Sequence, residues 1–361
     1  MKPIIVLDDL GAGCSIAALP ARFATAESIN QLITLGCGPL RVVMSCTRAD
    51  AFQLEAMNNR RAYGGVSGAS QPSELVSVEA RAGVHSGISA KDRATTVAVL
   101  GMQIPNPRDV VSPGHVFPRC GAKGGLLERA DSAQGALEIF SQNADSADND
   151  MPAAYVDLLN EAGAPANMAE VRELAQRLEL KLYSLRDLVQ QKLASSPLVK
   201  RISQSNLQLE NLGEFEAILF GDNILAAGYG PKREHFVLER KSVPNGASAP
   251  ASSKDEVPVV RIHRREFFAD VFGAIGPGKL TSRLHAGLAR IAKASHGVFL
   301  YLDVERKGAS NGIEPLRDYA IGAQILVDLG VTRAHIVTDS EHDLVGRVIF
   351  GVTIVGQEKV G

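Results

Sequence analysis

The sequence predicts an α/β (α+β) protein of two domains, and three observations carry that reading. Short β-rich runs alternate with amphipathic stretches that have readable helix starts. A chain of 361 residues that is 45% hydrophobic can bury two ordinary cores. The pattern breaks around Ser195-Ser196-Pro197, ahead of a fresh β-rich run.

In chain order, Pro3 to Leu7, Leu40 to Met44 and Val76 to Ala80 read as strands. Helix starts follow at Ser89-Ala-Lys-Asp92, Asn167-Met-Ala-Glu170 and Ser184-Leu-Arg-Asp187, where a side-chain oxygen can take up an orphan backbone N–H. These elements form a first domain over residues 1–195. The boundary falls near 194–200, and the second domain, 196–361, opens its β-rich part at Gly213 to Phe220. The tract 243–257 is too small and polar to pack and reads as a flexible loop. Beyond it, Leu280, Leu284, Leu288 and Ile291 recur at helical spacing, Val298 to Val304 reads as a buried strand, and Leu316 to Leu329 as a helix stopped by Gly330.

Thirty-eight basic against forty acidic residues leave a formal charge of −2, with no net field for nucleic acid or anionic lipid. There is no tryptophan and no basic stripe with interleaved aromatics, which argues against nucleic-acid binding. The N-terminal apolar run is too short for a signal peptide or a membrane span. Cys14, Cys37, Cys46 and Cys120 form no C-x-x-C pair, so a reducing compartment, the cytoplasm, is expected.

Three motifs stand in order in the first domain: Ser86-Gly-Ile-Ser-Ala-Lys-Asp-Arg-Ala-Thr-Thr96, Pro113-Gly-His-Val-Phe-Pro118 and Gly124-Gly-Leu-Leu-Glu-Arg129. From Ile4 to Leu193 the chain resembles dihydroxybutanone phosphate synthase, which converts ribulose 5-phosphate to a four-carbon phosphate and formate with a divalent metal. Leu316 to Val331 and Asp270-Val-Phe-Gly273 resemble GTP cyclohydrolase II. The two halves together are similar to the fused bifunctional enzyme of riboflavin biosynthesis. The resemblance implies a synthase-like mixed-sheet domain, then a cyclohydrolase-like α/β domain, and a homodimer.

Measured against those families, both metal sites are depleted. The synthase's acidic loop is here Asp8-Asp-Leu-Gly-Ala-Gly-Cys-Ser-Ile-Ala17, which keeps only the first two acids, while a hard cation needs oxygen ligands. The family histidine of Arg-x-x-His-Thr-Glu is replaced in Arg129-Ala-Asp-Ser132-Ala133-Gln134, and a later glutamate becomes Asp157. Asp131 is then an N-cap, or with Asp157 part of a displaced metal site. His115 and Arg129 survive and could bind a sugar phosphate, with Asp92 and Thr95 holding hydroxyls; Asp92 is also explained as the reciprocal member of the Ser89 capping box. Cys14 is a small buried cysteine, or a nucleophile whose thiol is lowered beside Arg129.

In the second half the three zinc cysteines fall by order at Glu266, Pro277 and Lys279, which cannot hold zinc. Glu305, Lys307 and Gly308 are what persists of the triphosphate-handling strand end, and Arg317 and Thr338 persist as ligand-binding candidates. Arg264, Arg265, Lys279, Arg283, Arg306 and Lys307 are solvated charges or an anion-binding surface. The expectation is therefore a protein without the ancestral Mg and Zn. It would be a non-catalytic paralogue that binds a phosphorylated sugar or nucleotide, or an active riboflavin-enzyme partner. The alternative is residual synthase activity or a shifted reaction built on His115, Arg129 and Asp157.

Overall fold

A computed structural model describes residues 2–11, 13–57, 74–142, 150–222, 233–241, 257–273, 283–304, 314–339 and 344–360. The expected loop at 243–257 lies outside these residues except for its last position. The chain divides into two compact units, one ending at Lys192 and one beginning at Leu193. Among the described residues no helix is long and apolar enough to cross a membrane.

The first unit is built on a mixed seven-stranded sheet. Its strands are β1 (Ile4–Leu7), β2 (Ile16–Pro20), β3 (Cys37–Met44), β4 (Val78–Ala80), β5 (Val110–Cys120), β6 (Ala153–Asp157) and β7 (Lys181–Ser184), in the order β4-β5-β3-β6-β2-β1-β7. Pairing is parallel for β1 with β7 and for β3 with β5, and antiparallel elsewhere. The helices are α1 (Ala26–Leu35), α2 (Cys46–Ala51), α3 (Ala90–Leu100), α4 (Ser132–Gln142), α5 (Met168–Arg177) and α6 (Leu185–Ser195).

The period-2 alternation of the strands divides the interior into two cores. Leu40, Val42 and Met44 of β3 and Ala154 and Val156 of β6 join Ile29 and Leu32 of α1, Val97 and Leu100 of α3, and Val171 of α5. Val43, Ala153 and Tyr155 point the other way, onto Ala133, Ala136 and Leu137 of α4. Ile29 and Leu32 are fully buried, which stabilises the α1 contact by about 1.5–3 kcal/mol per side chain. All three expected helix starts keep a side-chain cap: Asn167 and Glu170 form a reciprocal capping box, Ser89 Oγ accepts from Asp92 N at 3.0 Å, and Ser184 Oγ accepts from Asp187 N at 3.1 Å.

The second unit carries an eight-stranded sheet of β8 (Val199–Leu209), β9 (Gly213–Asp222), β10 (Glu234–Lys241), β11 (Val259–Arg264), β12 (His296–Leu302), β13 (Arg333–Val337), β14 (Val348–Ile349) and β15 (Val352–Glu358). The order is β14-β15-β13-β11-β12-β10-β9-β8. The first three strands are antiparallel, whereas β11, β12, β13 and β15 pair in parallel. Helices α7 (Phe267–Phe272), α8 (Arg283–Ala292) and α9 (Glu314–Asp328) complete it. Ile291 of α8 packs on Phe215 and Phe299. Gly287 of the same helix packs closely there: a Cβ would sit 3.1 Å from the Phe299 ring and 3.2 Å from Arg261.

Candidate functional site

The residues that the synthase resemblance singles out fall into two groups, both on the sheet of the first unit. His115 and Arg119 stand on β5 facing opposite to the buried Val116 and Pro118. Arg41 on β3 and Tyr155 on β6 are register partners, and Asp157 ends β6.

A row of charges runs across these strand ends. Arg41 Nη1 is bound to Asp157 Oδ2. Arg119 Nη2 donates to Asp131 Oδ2 at 2.7 Å, and Arg129 Nε lies 3.2 Å from the same oxygen. Arg129 Nη2 also donates to the Cys120 carbonyl at 2.6 Å. Asp131 caps α4, its Oδ1 accepting from Gln134 N at 2.8 Å. The N-cap reading of Asp131 therefore holds, and the carboxylates of Asp131 and Asp157 are each paired with guanidinium groups. Arg129 is likewise engaged, with Asp131 and the Cys120 carbonyl. Burial pushes the Tyr155 phenol up to about 12, with the arginines opposing the shift.

The two surviving acids of the first loop have structural partners. Asp8 folds the loop over itself by accepting from Leu10 N and Gly13 N. Asp9 accepts from Ser184 Oγ at 2.7 Å and Arg186 N at 2.9 Å, at the start of α6. Cys14 lies among Asp157, Asp8 and Arg41. Burial, reinforced by the two carboxylates, pushes its thiol up. The shift runs opposite to the lowering expected beside Arg129, which is not among its neighbours in charge.

The second group surrounds the start of α3. Ser89 Oγ accepts from Asp92 N at 3.0 Å, but the reciprocal bond expected of Asp92 is absent from the geometry. Its carboxylate instead accepts from Ser86 N at 2.9 Å, Ser86 Oγ at 3.0 Å and Gly87 N at 3.1 Å. Asp92 is buried, and these three bonds all fall on its Oδ2. Thr95 Oγ1 bonds back to Lys91 O at 3.0 Å along its own helix. The turn that Asp92 fixes lies over the pair of His115 Nδ1 and Glu79 Oε1. Gly87, at φ +74°, makes that approach possible, because a Cβ would meet both of those atoms at less than van der Waals distance. His115 remains about half exposed with its Nδ1 side held.

The Ser86 amide, with the hydroxyls of Ser86 and Ser89 and the His85 amide, holds the Asp92 carboxyl at about 2, below the ordinary carboxylate range. A carboxylate whose folded pKa is depressed contributes stability that is present above the unfolded pKa and lost as pH falls through the folded one. Asp92→Asn is expected to flatten the fall in melting temperature between about pH 4 and pH 2. Thermal melts of both proteins across that range check it; parallel curves would contradict it.

In the second unit, a cavity of about 380 Å³ opens between the sheet and α9, lined among others by Arg261, Glu266, Arg283, Tyr319, Thr338 and Asp339. Thr338 therefore lines the cavity, while Arg317, on α9, is not among its lining residues. Arg261 is buried; its Nη1 donates to Val337 O at 3.0 Å and its Nη2 to Asp339 Oδ2 at 3.3 Å. Its Nε has no acceptor among the described residues. Glu266, at one zinc-cysteine position, pairs with Arg283 at 3.4 Å. Pro277, Lys279, Glu305, Arg306, Lys307 and Gly308 lie outside the described residues. Below the cavity, His263 Nε2 is 2.9 Å from Asp270 Oδ1, and Tyr301 Oη donates to Asp270 Oδ2 at 3.0 Å. Burial lowers His263, with Asp270 opposing the shift.

Arg41, Arg119, Glu79 and Arg261 were not singled out by motif. The available signals were arginines set in otherwise apolar strand runs, Leu40-Arg41-Val42 and Val260-Arg261-Ile262.

Residues 1–191 match the 3,4-dihydroxy-2-butanone 4-phosphate synthase family, and residues 200–314 and 304–359 match GTP cyclohydrolase II. The riboflavin biosynthesis protein RibBA of Chlorobium phaeovibrioides is 30% identical over 98% of this chain and 86% of its own length. RibBA of Bacillus subtilis is 29% identical, covering 97% of this chain and 88% of its own. Among solved structures, RibBX of A. baumannii, a two-domain 3,4-dihydroxy-2-butanone 4-phosphate synthase, superposes with a TM-score of 0.70 at 22% identity. It covers 98% of this chain and 96% of its own, a likeness of fold. The chain belongs, as a divergent member, to the RibBA-type family in which a 3,4-dihydroxy-2-butanone 4-phosphate synthase domain is joined to a GTP cyclohydrolase II domain.

Proposed function

We propose that this chain is a non-catalytic RibBA-type protein that binds a phosphorylated sugar or nucleotide. One observation carries the loss of the synthase reaction: each carboxylate left at the ancestral site is bound to a donor of the protein itself. Leu10 and Gly13 hold Asp8, Ser184 and Arg186 hold Asp9, Arg119 and Arg129 hold Asp131, and Arg41 holds Asp157. A divalent cation would have to displace arginines from oxygens that it needs as ligands, so this donor set fits it poorly. Proline, lysine and a glutamate paired with arginine fit zinc no better. Ligand binding belongs in the second unit on this reading, where Arg261 is part of the lining of a cavity of small-molecule size. A homodimer and an active riboflavin-pathway enzyme are the macromolecular partners in this proposal, read out by sizing with and without that enzyme.

The test is formate release from ribulose 5-phosphate and from GTP with Mg²⁺ and Zn²⁺ present, run beside melts with each compound. The expected result is no formate, with one compound raising the melting temperature by several degrees, as about 2.7 kcal/mol of ligand stabilisation at a hundredfold excess over Kd would do. Formate at enzyme-like rates would overturn the proposal. It would favour the second reading, residual or shifted chemistry, for which the half-exposed His115 held by Glu79 is the specific support.

A further inference from the structure

We propose that Cys46 and Cys120 form a dithiol that closes reversibly to a disulfide by exchange with a low-molecular-weight disulfide such as oxidised glutathione. Neither residue has a part in the motifs of the family, and they lie 74 positions apart in sequence. The fold brings them together. β3 and β5 are parallel neighbours whose last register pair is Met44 with Cys120, and Gly121 N donates to Met44 O at 2.7 Å just beyond it. Two residues after Met44 the chain turns into α2, and Ser45 caps that turn by accepting from Arg48 N. Cys46 is thereby directed back at the end of β5, where its Sγ donates to the Gly121 carbonyl at 3.2 Å. Cys120 is the residue that precedes this carbonyl, so the two cysteines meet at the end of β5.

Both side chains are half-buried and both are thiols, so a small disulfide can reach the pair without unfolding. Burial, with Cys46 beside it, pushes the Cys120 thiol up to about 12, which disfavours Cys120 as the thiol that opens the exchange. The Cys46 thiolate attacks one sulfur of the oxidant, an S–S bond forms at Cys46, and one small thiol leaves. Cys120 then loses its proton to water and attacks Cys46 Sγ, releasing the second thiol. The protein loses two hydrogens and the oxidant gains them. The bond would tie the start of α2 to the end of β5. Arg129 donates to the carbonyl of Cys120, so closure acts on the backbone that supports the charge row.

The full chain is treated with oxidised glutathione, alkylated and mapped by mass spectrometry. The expected product links the Cys46 and Cys120 peptides, is cleared by dithiothreitol, and persists when Cys14 and Cys37 are both replaced by serine. The oxidised protein is expected to melt about 5 °C or more above the reduced one, since the bond closes a long loop of the unfolded chain. In Cys120→Ser, glutathione is expected to accumulate on Cys46 as a mixed disulfide. Two outcomes would overturn the proposal: separate glutathione adducts on Cys46 and Cys120 in the unaltered chain, or both recovered as free thiols under conditions that link the cysteines of the urea-unfolded chain.

Discussion

Arg48→Ala is expected to destabilise the first unit by about 2–4 kcal/mol, among the largest single-residue effects in the molecule. The guanidinium of Arg48 is 4% exposed. Its Nε donates to Asp150 Oδ2 at 2.9 Å, its Nη2 to Asp150 O at 3.2 Å, and its Nη1 to Leu100 O at 3.2 Å and Met102 O at 2.6 Å. Those acceptors belong to the end of α3 and the approach to β6, so one side chain joins three segments far apart in sequence. Ser45 Oγ adds a bond to Asp150 at 3.0 Å. Truncation leaves the Leu100 carbonyl without its buried donor and the partly exposed Asp150 without its cation. Exposure of Asp150, 21%, places the cost below that of a fully buried pair. Lysine recovers little, because a single ammonium cannot address acceptors on opposite sides of a planar fork. Urea denaturation measures it: a midpoint unchanged in Arg48→Ala would contradict this account, and a changed slope would signal loss of two-state unfolding.

How far the sequence shows these features depends on which physical signal each uses. β1, β3, β4 and the capped helices α3, α5 and α6 are legible because buried β-branched runs and cap side chains are local signals. β8 is not: from Lys200 to Gln208 it is exposed on both faces, so it has no alternation for a burial pattern to reveal. It exists by pairing with β9 along nearly its whole length. The strand expected at Val298 to Val304 begins two residues earlier, since His296 and Gly297 continue the ladder with β10. At the site, the positions of lost ligands are readable by motif, but what replaces them is not. Arg41 meets Asp157 across 116 residues, and Arg119 meets Tyr155 and Asp131 through strand register and the turn into α4. Asp92 shows the limit of a local rule. Its spacing from Ser89 suits a capping box, yet the amides of Ser86 and Gly87 offer it more donors than the Ser89 backbone could, and it turns to them.

Arg261→Met is expected to weaken binding of a phosphorylated ligand in the second unit by about 10- to 100-fold, the range of one or two charge-assisted hydrogen bonds. The methionine chain replaces most of the buried stem that packs against Gly287, so the core loses little volume. What it removes is the guanidinium. In the free protein that group is incompletely satisfied: two of its nitrogens bond to Val337 O and Asp339, and Nε has no acceptor among the described residues. Burial disfavours its charge, which Asp339 partly offsets. An anion entering the cavity would supply a second counter-charge to the guanidinium, so binding gains from a cost already met in folding. Arg261→Lys separates the two contributions, because it restores charge without the fork. Titration calorimetry of the three proteins with the compound that raises the melting temperature decides the matter. If Arg261→Met binds as tightly as the unaltered chain, the ligand lies elsewhere and the cavity is not its site. If lysine restores affinity in full, charge alone holds the anion and the fixed geometry of the arginine contributes nothing.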